Sequence, residues 1–134
     1  MDTIMRLIAV ILMLIVPSWT LADNYLCLED QVVGFSWEDR KWQTTNFMSG
    51  KYIVKLQGAE TVITEFGKEY STYRDCTNYF IFTPKNRIVC RSGYGEFYFH
   101  TVTKRFMRSY MAGYAEGDEE GNTPLISIGT CSKF

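Results

Sequence analysis

The sequence has a single histidine, His100, and this scarcity restricts the chemistry available to the chain. A serine or cysteine nucleophile usually needs a histidine base beside it, and His100 instead ends a run of alternating aromatic residues. The carboxylates near the predicted strands show no spacing that selects a pair for hydrolysis. They are Glu65, Glu69, Asp75 and Glu96. We therefore predict that the protein is not an enzyme, and we assign no catalytic residue.

Metal and phosphate motifs are also missing. No Cys-x-x-Cys pair occurs, and His100 has no cysteine near it, which argues against structural zinc. The acidic residues of segment 116–122 lack the alternating ligand spacing of an EF-hand, so they predict a solvated loop. The glycines at 93 and 95 have no lysine or helix context for a phosphate loop and predict a turn. We predict neither a metal nor a cofactor.

Neither sign of charge dominates. The sequence has fourteen lysines and arginines and fifteen aspartates and glutamates, for a net charge of −1. The basic residues form no runs, so the sequence excludes an electrostatically driven nucleic-acid binder.

The N-terminus has the layout of a secretory signal peptide. A short polar start precedes the unbroken apolar run 7–16, and Pro17 and the small residues Thr20 and Ala22 follow it. A membrane-spanning helix needs about 20 apolar residues, more than this run supplies. We predict that residues 1–22 are a signal peptide and that residues 23–134 are one domain, periplasmic or secreted, with no stable membrane span after cleavage.

The four cysteines support export, because an even count in a small exported chain predicts two disulfides. Cys27 and Cys131 lie near the two ends of the mature chain, and the first and last strands of a closed sheet are neighbours. Their pairing would leave Cys76 with Cys90. A hairpin turning at residues 83–86 nevertheless places Cys90 about 10 Å from Cys76, beyond disulfide reach. Either the segment carrying Cys76 curls back, or the pairing is different.

Period-two alternation predicts strands rather than helices. The strand-length runs are residues 51–56, 61–66, 78–82, 87–91, 97–100, 106–111 and 126–128. Turn residues separate them at roughly ten-residue spacing, which is typical of an antiparallel meander closed on itself. We predict an all-β fold, a small antiparallel barrel or sandwich with two disulfides, whose interior includes Phe80, Phe82, Phe97 and Phe99.

Most of the aromatic rings are expected in the core, but tyrosines and tryptophans gathered on one face or rim would make a binding surface. The alternative is that exposed rings form cation–π and cross-strand pairs without a partner. The residues concerned are Trp37, Trp42, Tyr94, Tyr98, Tyr110 and Tyr114. Basic residues that fall near them in the sequence could surround such a patch: Arg91, Lys104, Arg105 and Arg108.

Several short motifs resemble a group of small exported bacterial proteins of unassigned function. They include Tyr25-Leu26-Cys27, Glu65-Phe66-Gly67, Phe97-Tyr98-Phe99, Gly113-Tyr114 and Ile128-Gly129-Thr130-Cys131. The resemblance spans most of the mature chain and implies export and a shared fold, without an activity.

Two further dipeptides, Ser92-Gly93 and Thr103-Lys104, are similar to the loop motifs of membrane-bound inhibitors of C-type lysozyme. Those inhibitors are small periplasmic β-barrels that insert a loop serine and a lysine into the lysozyme cleft. The likeness implies that Ser92 and Lys104, with Tyr94 and Arg105 beside them, contact a protein partner. Arg105 stands where those inhibitors have glycine.

We therefore expect a monomeric binding module with a protein partner of unknown identity. An inhibitor of the lysozyme type, acting through exposed loops, is one form that the resemblance suggests. The alternative is a carrier of a small apolar ligand, since a small barrel can hold one ligand if side chains do not fill its interior.

Overall fold

Antiparallel β-strands form the regular structure of the residues that the computed structural model describes, 22–57, 60–73, 76 and 86–134. The strands are β1 (Asp23–Glu38), β2 (Lys41–Asn46), β3 (Lys51–Gln57), β4 (Glu60–Glu65), β5 (Arg87–Arg91), β6 (Glu96–His100), β7 (Arg105–Tyr110) and β8 (Leu125–Lys133). The predicted all-β class is confirmed. Within the described ranges no helix is long and apolar enough to cross a bilayer.

The strands form one nearly closed, barrel-shaped sheet in the order β4-β3-β1-β8-β7-β6-β5, and β2 pairs with β1 off this path. β5, β6 and β7 follow one another as hairpins, which confirms the predicted meander. The first and last strands are neighbours, as expected for a sheet that closes on itself.

β1 is long enough to pair with two different strands along the same edge. Its first part, from Asp23 to Leu28, pairs with β3, and its last part, from Val33 to Glu38, pairs with β2. Between them the register with β8 shifts around Asp30, which marks a β-bulge. The extra residue reverses the alternation, so that Glu29 and Val32 are both buried although they are three residues apart.

Both predicted disulfides are present. Cys27 and Cys131 lie directly opposite each other on β1 and β8. Cys76, which lies outside the described strands, bonds to Cys90 of β5, so the pairing that the hairpin geometry argued against is the one present. The predicted strand 78–82, with Phe80 and Phe82, lies outside the described residues, as do residues 1–21 of the predicted signal peptide.

Aromatic rings fill the interior between the described strands. Phe97 and Phe106 stack with 5.0 Å between ring centroids, and Tyr52 and Tyr73 meet Phe97 at 5.7 and 5.5 Å. Tyr25 packs against Phe99 at 4.9 Å. Edge-to-face and stacked pairs at these spacings add to the stabilisation that burial alone provides.

The hairpin between β1 and β2 is the main element that the sequence patterns do not indicate. Its turn residues, Asp39 and Arg40, have φ angles of 52° and 63°. Two positive φ values define a primed turn, which hairpins usually build from Asn-Gly or Asp-Gly. Because Arg40 stands where glycine is usual, the turn carries no recognisable signature.

Candidate functional site

An open apolar groove lies on the outer face of the sheet, where β2, β1 and β8 run side by side. Val33 of β1 is directly opposite Ile126 of β8, and Phe35 follows two residues along β1. These side chains are 43%, 43% and 48% exposed. Together with Met111 and the strand ends they line a volume of about 440 Å³.

The rim of the groove is polar but uncharged. Thr44 and Asn46 of β2 lie opposite Phe35 and Val33 and form the polar side of the groove. No charged side chain belongs to the lining that the described residues provide. The groove therefore matches the composition of an interface centre, which is apolar and depleted in charge.

Apolar exposure continues beyond the groove along the same outer face. Ile128 follows Ile126 on β8 and is paired with Met107 of β7, and both side chains are exposed. Met111, just after β7, is 69% exposed at the edge of the groove. A contiguous apolar area of several hundred Å² on a monomer marks an interaction surface more often than chance.

Glycine at position 34 allows the groove to form. A Cβ atom there would lie 2.1 Å from the carbonyl oxygen of Pro124, and the Phe35 amide donates to that same oxygen. A side chain at 34 would force β1 away from the start of β8, which is the floor of the groove.

An aromatic cluster ties the hairpin to the loop after β7. Trp37 and Trp42 face each other across the hairpin with 5.9 Å between ring centroids, and Trp42 meets Tyr114 at 5.6 Å. The cluster fixes the direction in which β2, and with it one side of the groove, projects from the barrel.

A buried charge pair supports the strands beneath the groove. The Glu29 side chain, 1% exposed, accepts hydrogen bonds from Arg108 Nε at 2.7 Å and from Ser127 Oγ and Gly50 N at 2.6 Å each. These contacts join β1, β7, β8 and the residue before β3. Because these three donors satisfy the buried Glu29 carboxylate, its role is structural.

Aromatic rings enclose the cation of this pair. The Arg108 guanidinium lies 5.2 Å from the centroid of the Tyr52 ring. Burial alone would lower the pKa of Arg108, but its hydrogen bond to Glu29 and the nearby negative charge raise it. Burial also raises the pKa of the Tyr52 and Tyr73 hydroxyls, so both stay neutral around this cation.

The residues predicted to contact a partner do not come together. Ser92 and Tyr94 lie in the β5–β6 turn, whereas Lys104 and Arg105 lie at the β6–β7 turn. These turns are at opposite ends of β6, about 17 Å apart for a five-residue strand. Lys104 turns toward the barrel, with Nζ 4.7 Å from the Tyr25 ring centroid. The likeness to lysozyme inhibitors stays a prediction, but these four residues form no single loop surface.

The predicted aromatic patch divides into separate groups. Trp37, Trp42 and Tyr114 form the cluster described above, while Tyr94 pairs with Tyr110 at 6.2 Å. Arg108 was expected beside such a patch, and this expectation is wrong because its side chain is buried against Glu29.

The groove itself was missed from the sequence, although one signal pointed to it. Cys131 must face inward to bond Cys27, so residues two and four positions before it on β8 also face inward. Ile126 and Ile128, at odd offsets from Cys131, must then face outward, as they do. Alternation counted from the disulfide would have shown two isoleucines on the outer face.

Comparisons with protein-family models, curated proteins and solved structures gave no match to the chain. Among the described residues no cluster of three or more histidine, cysteine, aspartate or glutamate side chains is suited to hold a metal ion.

Proposed function

We propose that the protein is an exported binding module that takes a protein partner on the outer groove around Val33, Phe35 and Ile126. The observation that carries the proposal is the contiguous exposed apolar face of β1, β8 and β7. Soluble monomers rarely expose such a face without a use for it.

The shape of the groove favours a protein over a small molecule. Sites for small ligands enclose most of the ligand surface, whereas this groove is a shallow depression on a sheet. A protein partner can insert one aliphatic or aromatic side chain between Phe35 and Ile126 while its own surface covers the polar rim. An interface of standard size buries about 800 Å² per partner, so the partner would cover the polar surface around the groove as well as its apolar centre.

A carrier that uses the barrel interior is less favoured. The described interior is occupied by stacked and edge-to-face rings, among them Phe97, Phe99 and Phe106. We therefore assign binding to the outside of the sheet.

Export is part of the proposal. The two disulfides are compatible with an oxidising compartment, and the N-terminal pattern is that of a cleaved signal. N-terminal sequencing of protein recovered from its cells is expected to begin near Asp23. A start at Met1 with free thiols would contradict export.

Affinity capture tests the binding claim by comparing the wild-type protein with a variant that carries a charge in the groove. The wild-type protein and the variant Ile126→Glu are immobilised and exposed to envelope and culture fractions of the producing cells. Ser132→Glu is the matched control, since Ser132 is also exposed on β8 but lies outside the groove. We expect a protein retained by wild type and Ser132→Glu, and weakened about tenfold or more by Ile126→Glu. Equal retention by all three would contradict the groove as the site.

A further inference from the structure

A second hollow lies on the outer face of β5, β6 and β7, and it meets the apolar extension of the groove at Met107. It has a volume of about 360 Å³ and is lined by Arg87 of β5, Tyr98 and His100 of β6, and Arg105 and Met107 of β7, with Phe99 and Phe106 beneath. The sheet register places Arg87 opposite His100 and His100 opposite Arg105. Three basic residues therefore stand side by side across three strands.

The polar groups that these three residues have left for a ligand are donors. An arginine guanidinium carries donors and no acceptor. His100 Nδ1 accepts hydrogen bonds from the backbone amides of Val102 at 3.3 Å and Thr103 at 3.2 Å. In this arrangement Nδ1 is the acceptor and Nε2 carries the ring proton. A ligand for this row must bring acceptors.

The charge of the row is not balanced within the described chain. The ion pairs there include neither Arg87 nor Arg105. The nearest carboxylate on these strands, Glu96, is engaged by Arg91 at 2.8 Å and by the Tyr98 hydroxyl at 2.8 Å. The guanidinium groups of Arg87 and Arg105 flank His100 on either side, and a bound anion would offset their mutual repulsion.

We propose that this hollow binds an oxyanion carried on an apolar group. The oxyanion lies over His100 Nε2 between the guanidinium groups of Arg87 and Arg105, whose forked donors suit carboxylate and phosphate oxygens. The apolar part of the ligand packs on Met107 and the Tyr98 ring, both exposed in the hollow. The recessed shape suits a small ligand rather than the flat surface of a bilayer. Lipid-binding clusters also use more basic residues than the three found here. The inference does not depend on the groove.

Small probes test the site directly by two-dimensional NMR in dilute Tris buffer. The probes are N-acetylphenylalanine, phenyl phosphate and, as the uncharged control, N-acetylphenylalaninamide. Both anions are expected to shift the backbone resonances of residues 87, 98, 100 and 105 in a saturable manner. The anion with the lower Kd identifies the source as a peptide carboxylate or a phosphorylated ligand. No saturable shift, or equal shifts with the uncharged amide, would overturn the proposal.

Variants that replace a charged side chain with a neutral one distinguish binding at this site from general effects of the protein's charge. Arg87→Gln and Arg105→Gln are each expected to raise the Kd of the better anion about threefold, and the double variant about tenfold. Lys55→Gln removes an exposed charge from β3, outside the hollow, and should leave the Kd unchanged. The thermal midpoint of each variant confirms folding, since Arg87 and Arg105 are exposed. An unchanged Kd in the folded double variant would also overturn the proposal.

Discussion

Glu29 on β1 and Arg108 on β7 form an ion pair inside the barrel, with 2.7 Å between Oε1 and Nε, although strand β8 lies between their strands. Ser127 of β8 donates to the same carboxylate oxygen. One carboxylate therefore fixes the spacing of three adjacent strands, two of which, β1 and β8, line the groove.

Removing one member of this pair should be far more damaging than removing both. Glu29→Ala leaves the Arg108 charge buried and is expected to lower the free energy of unfolding by about 3–5 kcal/mol. The double variant Glu29→Met with Arg108→Met should recover much of this loss, because no buried charge remains. Urea unfolding measures the difference.

The exposed ion pair between Lys133 and Asp23 provides the control. Asp23→Asn should leave the free energy of unfolding nearly unchanged, because both side chains of this pair are exposed to solvent. A Glu29→Ala loss no larger than that of Asp23→Asn would contradict the structural role of the buried pair.

Alkaline pH should destabilise the fold through Tyr52 and Tyr73. Burial raises the pKa of both hydroxyls above the ordinary value of 10.0. The unfolded chain then loses these protons first, so the stability they contribute is complete below about pH 10 and falls as the pH rises above it. Chemical unfolding at several values between pH 8 and 11.5 is expected to show the fall, and Tyr73→Phe should reduce it. A stability independent of pH above 10 would contradict the burial of these hydroxyls.

The hairpin turn can be improved. Arg40 has a φ of 63°, a region that costs a residue with a side chain about 1–2 kcal/mol. Arg40→Gly should therefore raise the free energy of unfolding by up to about 1 kcal/mol, after the added entropy of glycine in the unfolded chain. Arg40→Ala keeps the strain and should give no gain in thermal midpoint. Equal effects of the two substitutions would contradict a primed turn at this position.

The long disulfide should contribute more stability than the short one. Cys27 and Cys131 are separated by 104 residues, and Cys76 and Cys90 by 14. The loop-entropy relation gives about 5 kcal/mol for the first and about 3 kcal/mol for the second. Paired alanine substitutions, compared by urea unfolding, should follow this order. The reverse order would show that native contacts rather than loop closure decide these contributions.

The fold class was accessible from the sequence because β5, β6 and β7 alternate regularly between short turns. Phe97 and Phe99 point inward as their spacing predicts. β1 was not accessible in the same way. Its bulge at Asp30 changes which positions face inward, so a single period of two does not describe the strand.

The site was harder to predict than the fold. Ser92 and Lys104 are twelve positions apart, but an intervening strand carries them to opposite ends of the sheet. The groove instead joins Val33 to Ile126, residues that only the pairing of the first and last strands brings together. The ion pair between Glu29 and Arg108 could not be predicted either, because nothing in the local sequence of either residue indicates the other.

Site-specific photo-crosslinking tests the central claim, that the groove holds a protein partner. A photoreactive phenylalanine derivative at position 126 is irradiated in the producing cells, and the same residue at position 132 is the control. The account predicts one adduct from position 126 that contains this chain and a different protein, and none from position 132. An adduct of two copies of this chain, no adduct, or equal adducts at both positions would contradict it.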